Sequence, residues 1–191
     1  MSESPVPQAL LTVEEYLEFE KGGGQRHEYV GGRIYAHAGG TSRHNAISVN
    51  LLTALWEAAR GGPCRVYGSD MMLRATEEVF YYPDVTVVCG EDEAGEDALY
   101  QEAPCLLVKV TSPSTEATDR REKMLAYKSI PSLRAYLVID QRMMRVERHW
   151  RDDTGRWWYA EAVGRNGVVP VPCPETEIPL PRIYEGLRDT S

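Results

Sequence analysis

Cys105-Leu106-Leu107-Val108-Lys109-Val110-Thr111-Ser112-Pro113-Ser114 is an apolar run broken once by a lysine and ended by a serine–proline–serine turn. A short run of this kind reads as a strand buried on both faces. Beyond the break, Thr118 to Ser129 reads as a helix. It must end before Pro131, because the residue preceding a proline is pushed out of the helical region. Leu133 to Asp140 then reads as a second strand. Strand, crossover helix and strand, taken with the helices and hairpins read on either side of them, predict an α/β (α+β) domain with a mixed sheet.

The flanking sequence adds elements to both sides. Thr12-Val13-Glu14-Glu15 has the form of a capping box, opening a short helix that Gly22-Gly23-Gly24 ends. His27 to Tyr35 reads as a hairpin turning at Gly31-Gly32. From about Ser42 to Arg60, Ile47, Leu51, Leu52, Leu55, Trp56 and Ala59 recur at helical spacing, and Gly61-Gly62-Pro63 stops that helix. Cys64 to Arg74 and Val79 to Val88 read as two strands around the turn Ala75-Thr76-Glu77-Glu78. Arg142 to Trp150 and Arg156 to Ala162 form a C-terminal β-hairpin around Asp152-Asp153-Thr154-Gly155. The proline-rich tail after Gly167 reads as an extended segment along a sheet edge.

At 191 residues with 42% hydrophobic and 26% charged composition, the chain is expected to be one globular domain spanning 1–191. No apolar run approaches the roughly 18 residues of a membrane span. Nor does Met1 to Leu10 read as a signal peptide. The four cysteines, Cys64, Cys89, Cys105 and Cys173, lack CxxC pairing, which reads as neither a zinc site nor a disulfide framework and suits a reducing cytoplasm. The expectation is therefore a cytoplasmic protein without a membrane partner. The net charge of −8 argues against bulk attraction to nucleic acid. It is unevenly spread, however: residues 120–156 hold ten Arg or Lys against five acids, a local +5, while Glu91 to Asp97 is densely acidic. Arg148, Trp150, Arg151, Trp157 and Trp158 interleave aromatics with cations, a pattern that suits base stacking or an oligomer interface.

Three features carry chemistry. Asp84, in Tyr82-Pro83-Asp84-Val85, opens an apolar strand, where an acid is either a ligand for a hard cation or a turn residue satisfying local backbone. Lys109 shares a strand face with Leu107 and Thr111, and an ammonium there must either pair with an acid, Asp84 being the obvious one, or reach solvent. Asp119, Lys123 and Tyr127 are spaced four apart and so line one helical face.

Taken together, the chain resembles the bacterial Uma-type restriction endonucleases, a branch of the PD-(D/E)xK nuclease superfamily. The resemblance runs through Leu11 to Tyr16, His27 to Gly32, Ser42-Arg43-His44, Pro83-Asp84, Val108 to Ser114, Asp119 to Tyr127, Ile130 to Arg134 and Tyr136 to Asp140. It implies a restriction-endonuclease-like fold, Mg²⁺ or Mn²⁺ as cofactor, DNA as substrate and a homodimer that cuts two strands. By position, Asp84 would bind the metal, Glu28 would be an accessory acid and metal ligand, and Lys123 the catalytic lysine. Asp119 and Tyr127 would be accessory, and so would His44, which would touch a phosphate or the metal-bound water, the alternative being a surface histidine at a helix start. The sequence departs from the family at Lys109, which stands where the resemblance places the second metal-binding glutamate. Gly31 and Ala135 are further positions where the family has acids. Two functions are therefore expected in competition: a metal-dependent endonuclease with an impaired site, or a catalytically inactive nuclease-fold binding or scaffold protein.

Overall fold

The computed structural model describes residues 10–37, 39–90, 95, 97–111 and 122–188. It contains a six-stranded sheet, a five-stranded sheet, a two-stranded ribbon and helices packed on them. The six-stranded sheet holds β3 (Cys64–Gly68), β6 (Val85–Cys89), β8 (Leu106–Thr111), β9 (Ala135–Asp140), β10 (Arg145–Arg151) and β11 (Trp157–Val163) in the order β11-β10-β9-β8-β6-β3. Within it, β8 and β9 are parallel and every other pair is antiparallel. The expected mixed sheet and C-terminal hairpin are both present.

The strand read from residues 105–111 is buried on both faces, as its apolar run requires. Leu106, Val108 and Val110 face a core completed by α2 (Ser42–Ala59) and α4 (Leu180–Ile183). Leu107 faces the opposite core, which holds Tyr127 of α3 (Met124–Ser129) and Leu73 and Tyr81 of β4 (Met72–Thr76) and β5 (Val79–Tyr81). Helix α2 buries Ile47, Leu51, Ala54, Leu55 and Ala59 along one stripe. Each large aliphatic among them contributes about 1.5–3 kcal/mol by leaving water. Trp56 departs from the expected stripe: it is half exposed, under the Arg60 guanidinium.

The five-stranded sheet runs β2-β1-β5-β4-β7, from β1 (His27–Val30), β2 (Arg33–Ala36) and β7 (Tyr100–Gln101) with β4 and β5. Its β1–β2 turn falls at the glycine pair, where φ values of 54° and 88° at Gly31 and Gly32 need residues without a Cβ. Helix α1 (Val13–Lys21) opens on the expected capping box, with both reciprocal bonds between Thr12 and Glu15 in place. The helix is pinned by Tyr16, which stacks on Tyr29 at 4.8 Å.

Three expectations need correction. Residues 64–74 and 79–88 are not two strands but four, split at Ser69-Asp70 and at Tyr82-Pro83-Asp84, and each half joins a different sheet. The tail is not a single extended edge. It folds into a ribbon of β12 (Val168–Pro172) and β13 (Glu175–Pro179), then α4. The four cysteines are joined as Cys64–Cys89 and Cys105–Cys173, against the reading that they form no disulfide framework. No helix among the described residues is long and apolar enough to cross a membrane.

Candidate active site

The site gathers where β6 begins, β8 ends and α2 starts. Asp84 immediately precedes β6, and its backbone N–H donates to Val108 O, which locks it beside β8. Its carboxylate is almost fully buried. One oxygen, Oδ2, accepts from the Val110 N–H at 2.6 Å and lies 3.4 Å from Lys109 Nζ. The other, Oδ1, lies 3.0 Å from His44 Nε2. The acid is therefore not a turn residue satisfying its own loop: its partners come from a neighbouring strand and a distant helix. Burial alone would raise its pKa, but the His44 hydrogen bond, the Lys109 charge and the Val110 N–H together hold it below the usual carboxylate range.

His44 reaches Asp84 because α2 is capped correctly. Thr41 accepts from the His44 N–H and its hydroxyl meets Gln141, which fixes the first turn against the β9–β10 connection. His44 is thus part of the site and not an exposed helix-start residue. Lys109, one of two candidate lysines buried here, takes the paired alternative and not the solvent one.

A second ion pair adjoins the first. Lys123 Nζ lies 2.8 Å from Glu28 Oε1, and also above the Tyr81 ring at 5.0 Å. Glu28 sits on β1, opposite Tyr35 in the hairpin register. Desolvation pushes its pKa up, but His37, Lys123 and the more remote charge of Lys109 outweigh that and bring it down to about 2. That Lys109 acts on Glu28 as well as Asp84 puts the two pairs in one electrostatic neighbourhood. Tyr127, one turn beyond Lys123, points into the core against Tyr81 and Tyr136, so its part is packing. Asp119 lies outside the described residues, as does most of the acidic 91–97 segment.

Two contributions escaped the sequence reading. His37 Nδ1 stands 3.7 Å from Glu28 Oε1, brought there by the strand after the glycine turn. Behind it, Glu20 accepts from the His27 N–H and from Tyr82 OH, tying α1 to the Tyr82-Pro83-Asp84 turn. Isolated histidines without a spacing motif gave no signal; only the hairpin register, which places His27 opposite Ala36 and so His37 beside Glu28, could have suggested the first.

Residues 13–180 match the Uma2 family, described as "Putative restriction endonuclease". The chain belongs to the Uma2 family. It is similar to slr1290 of Synechocystis sp. (strain PCC 6803), at 36% identity over 81% of this chain and 80% of the relative. A second protein of that organism, sll1609, is 32% identical over 84% of this chain and 92% of its own length. Among solved structures, a DUF820 protein from Anabaena variabilis described as "a putative nuclease" superposes with a TM-score of 0.74 at 17% identity, covering 91% of this chain and 97% of its own. The fold of this Uma2 chain is thus that of a nuclease-like protein.

Nuclease-like folds of this family are associated with a divalent ion, and the donors at Asp84 do not fit one. Both carboxylate oxygens have protein partners, and the place of a second strand carboxylate holds an ammonium. Of the nearby acids, Glu28 is paired with Lys123, Glu122 is exposed, and Glu116 and Asp119 lie outside the described residues. Among the described residues, the one grouping of three ligand atoms within 4.8 Å of one another is formed by cysteines at the other end of the sheet.

Proposed function

We propose that this Uma2 protein binds the phosphodiester backbone of DNA at the Asp84–Glu28 site, and that hydrolysis there is suppressed by Lys109. The observation that carries the reading is the 3.4 Å ion pair between Lys109 and Asp84. An ammonium at that distance competes with any divalent cation for the same carboxylate, by about 4 kcal/mol at an effective dielectric near 20 before desolvation. In this reading Asp84 and Glu28 are the acids of the ancestral centre. Lys123 and His44 are the groups that would meet a phosphate oxygen, and Mg²⁺ or Mn²⁺ becomes a ligand only once Lys109 is replaced by an acid.

Surface charge supports DNA as the partner. Arg43, Arg142 and Arg165 line a cavity of about 290 Å³ beside the β9–β10 turn. It borders the β9–β10 connection against which the first turn of α2 is fixed: Arg43, next to His44 in sequence, donates to Gln141 O. Cations facing one end of the sheet suit successive backbone phosphates better than they suit a neutral ligand. A homodimer would set two such sites against the two strands.

Duplex binding by fluorescence anisotropy, with supercoiled-plasmid nicking in Mn²⁺, tests the proposal. The expected result is salt-dependent binding with background nicking by the natural chain, and nicking that appears in Lys109→Glu. Nicking by the natural chain that Asp84→Ala abolishes would overturn it.

A further inference from the structure

All four cysteines of the chain converge on one point of the fold, although they come from four separate segments. Cys64 begins β3 and stands directly opposite Cys89, the last residue of β6. Cys105 precedes β8, with its N–H on Val87 O, so it flanks β6 from the other side. Cys173 lies in the β12–β13 turn that folds over this end of the sheet. The Cys89 and Cys105 sulfurs are 3.2 Å apart across the two disulfides, and those of Cys89, Cys105 and Cys173 lie within 4.8 Å of one another. Cys64 is joined to Cys89, so the four sulfurs form one continuous chain.

We propose that in its thiol form the protein binds one zinc-class ion through Cys64, Cys89, Cys105 and Cys173. Four thiolates at a tetrahedral ion, with metal–sulfur bonds of about 2.3 Å, stand roughly 3.8 Å from one another. The Cys89–Cys105 contact at 3.2 Å and the 4.8 Å limit within which Cys89, Cys105 and Cys173 lie bracket that spacing, and Cys64 is held beside them by its link to Cys89. Within each pair, reduction breaks the S–S bond and frees the two side chains to rotate apart. Softness of the donors selects zinc over Mg²⁺ or Mn²⁺, and the crowding selects a single ion, because a multinuclear cluster holds its cysteines farther apart around metal and sulfide atoms. The balance is closed. A thiol reductant gives four electrons and four protons to the two disulfides, leaving four thiols, and the ion then displaces those four protons. Cys105 and Cys173 are buried in the main core, so the bound ion would staple the ribbon and α4 side of the fold to the sheet. The site is separate from the Asp84 site: β6 carries Asp84 before its first residue and Cys89 at its last, about 16 Å along a strand.

The test uses the full chain, reduced and freed of reductant, titrated anaerobically with Zn²⁺ and with Co²⁺. The expected result is one ion per chain and thiolate-to-cobalt charge-transfer bands with tetrahedral d–d bands. Four thiols should react with Ellman's reagent only after chelation. Cys89→Ser should weaken binding by about tenfold or more. Binding well below one ion per chain, cobalt spectra without thiolate bands, or zinc binding that survives Cys89→Ser would each overturn the proposal. The cobalt spectrum of the natural chain needs no variant, so a variant that fails to fold does not blunt the test.

Discussion

Lys109 Nζ lies 3.4 Å from Asp84 Oδ2, both side chains are buried, and the residues are joined a second way through the Val110 N–H on the same oxygen. The pair makes one stability prediction with an asymmetry. Asp84→Ala strands a buried ammonium and removes the partner of His44, and should cost on the order of 3–5 kcal/mol. Lys109→Met leaves Asp84 its His44 and backbone donors, and should cost less, about 1–2 kcal/mol. Urea denaturation of both variants checks the order; equal losses would contradict it.

Glu28 gives a pH prediction. Its folded pKa is about 2 against an ordinary value of 4.5. A depressed carboxylate stabilises the fold fully above its unfolded pKa and loses that stabilisation as pH falls through the folded one. The Glu28–Lys123–His37 group should therefore contribute on the order of 2–3 kcal/mol at neutral pH, lost between about pH 4.5 and pH 2. Denaturant midpoints across that range should fall less steeply in Glu28→Gln than in the natural chain.

Much of this was legible before the structure. The capping box at Thr12 and the glycine pair at 31–32 are local signals, and local physics decided them. Lys109 could be matched to Asp84 because an ammonium in an apolar strand needs a partner. What failed depends on distance. Ser69-Asp70 divides a long strand between two sheets, which only tertiary packing reveals. Pro170, Pro172 and Pro179 hid the alternation of Val169, Val171 and Ile178; a two-stranded ribbon has only edges, so it tolerates them. Cys64 meets Cys89 through sheet register and Cys105 meets Cys173 where the ribbon turn folds over the sheet, and no spacing rule records either meeting.

The disulfides carry their own prediction. Closing segments of 25 and 68 residues removes unfolded-chain entropy equivalent to roughly 3–4 kcal/mol each. Reduction without metal should lower the urea midpoint, and added Zn²⁺ should restore part of it. A midpoint unmoved by reduction would contradict the covalent links.

Arg142 lines the cavity beside the β9–β10 turn. Arg142→Glu should weaken duplex binding across unrelated sequences and lower the salt slope by about one, the signature of one lost phosphate contact.

The most direct measurement is calorimetric titration of Mn²⁺ into the natural chain, Lys109→Gln and Lys109→Glu, with the cysteines kept oxidised. Suppression by Lys109 predicts no saturable binding by the natural chain, little gain on removing the charge, and a saturable site once the acid is supplied. Stoichiometric Mn²⁺ binding by the natural chain, lost in Asp84→Ala, would contradict it.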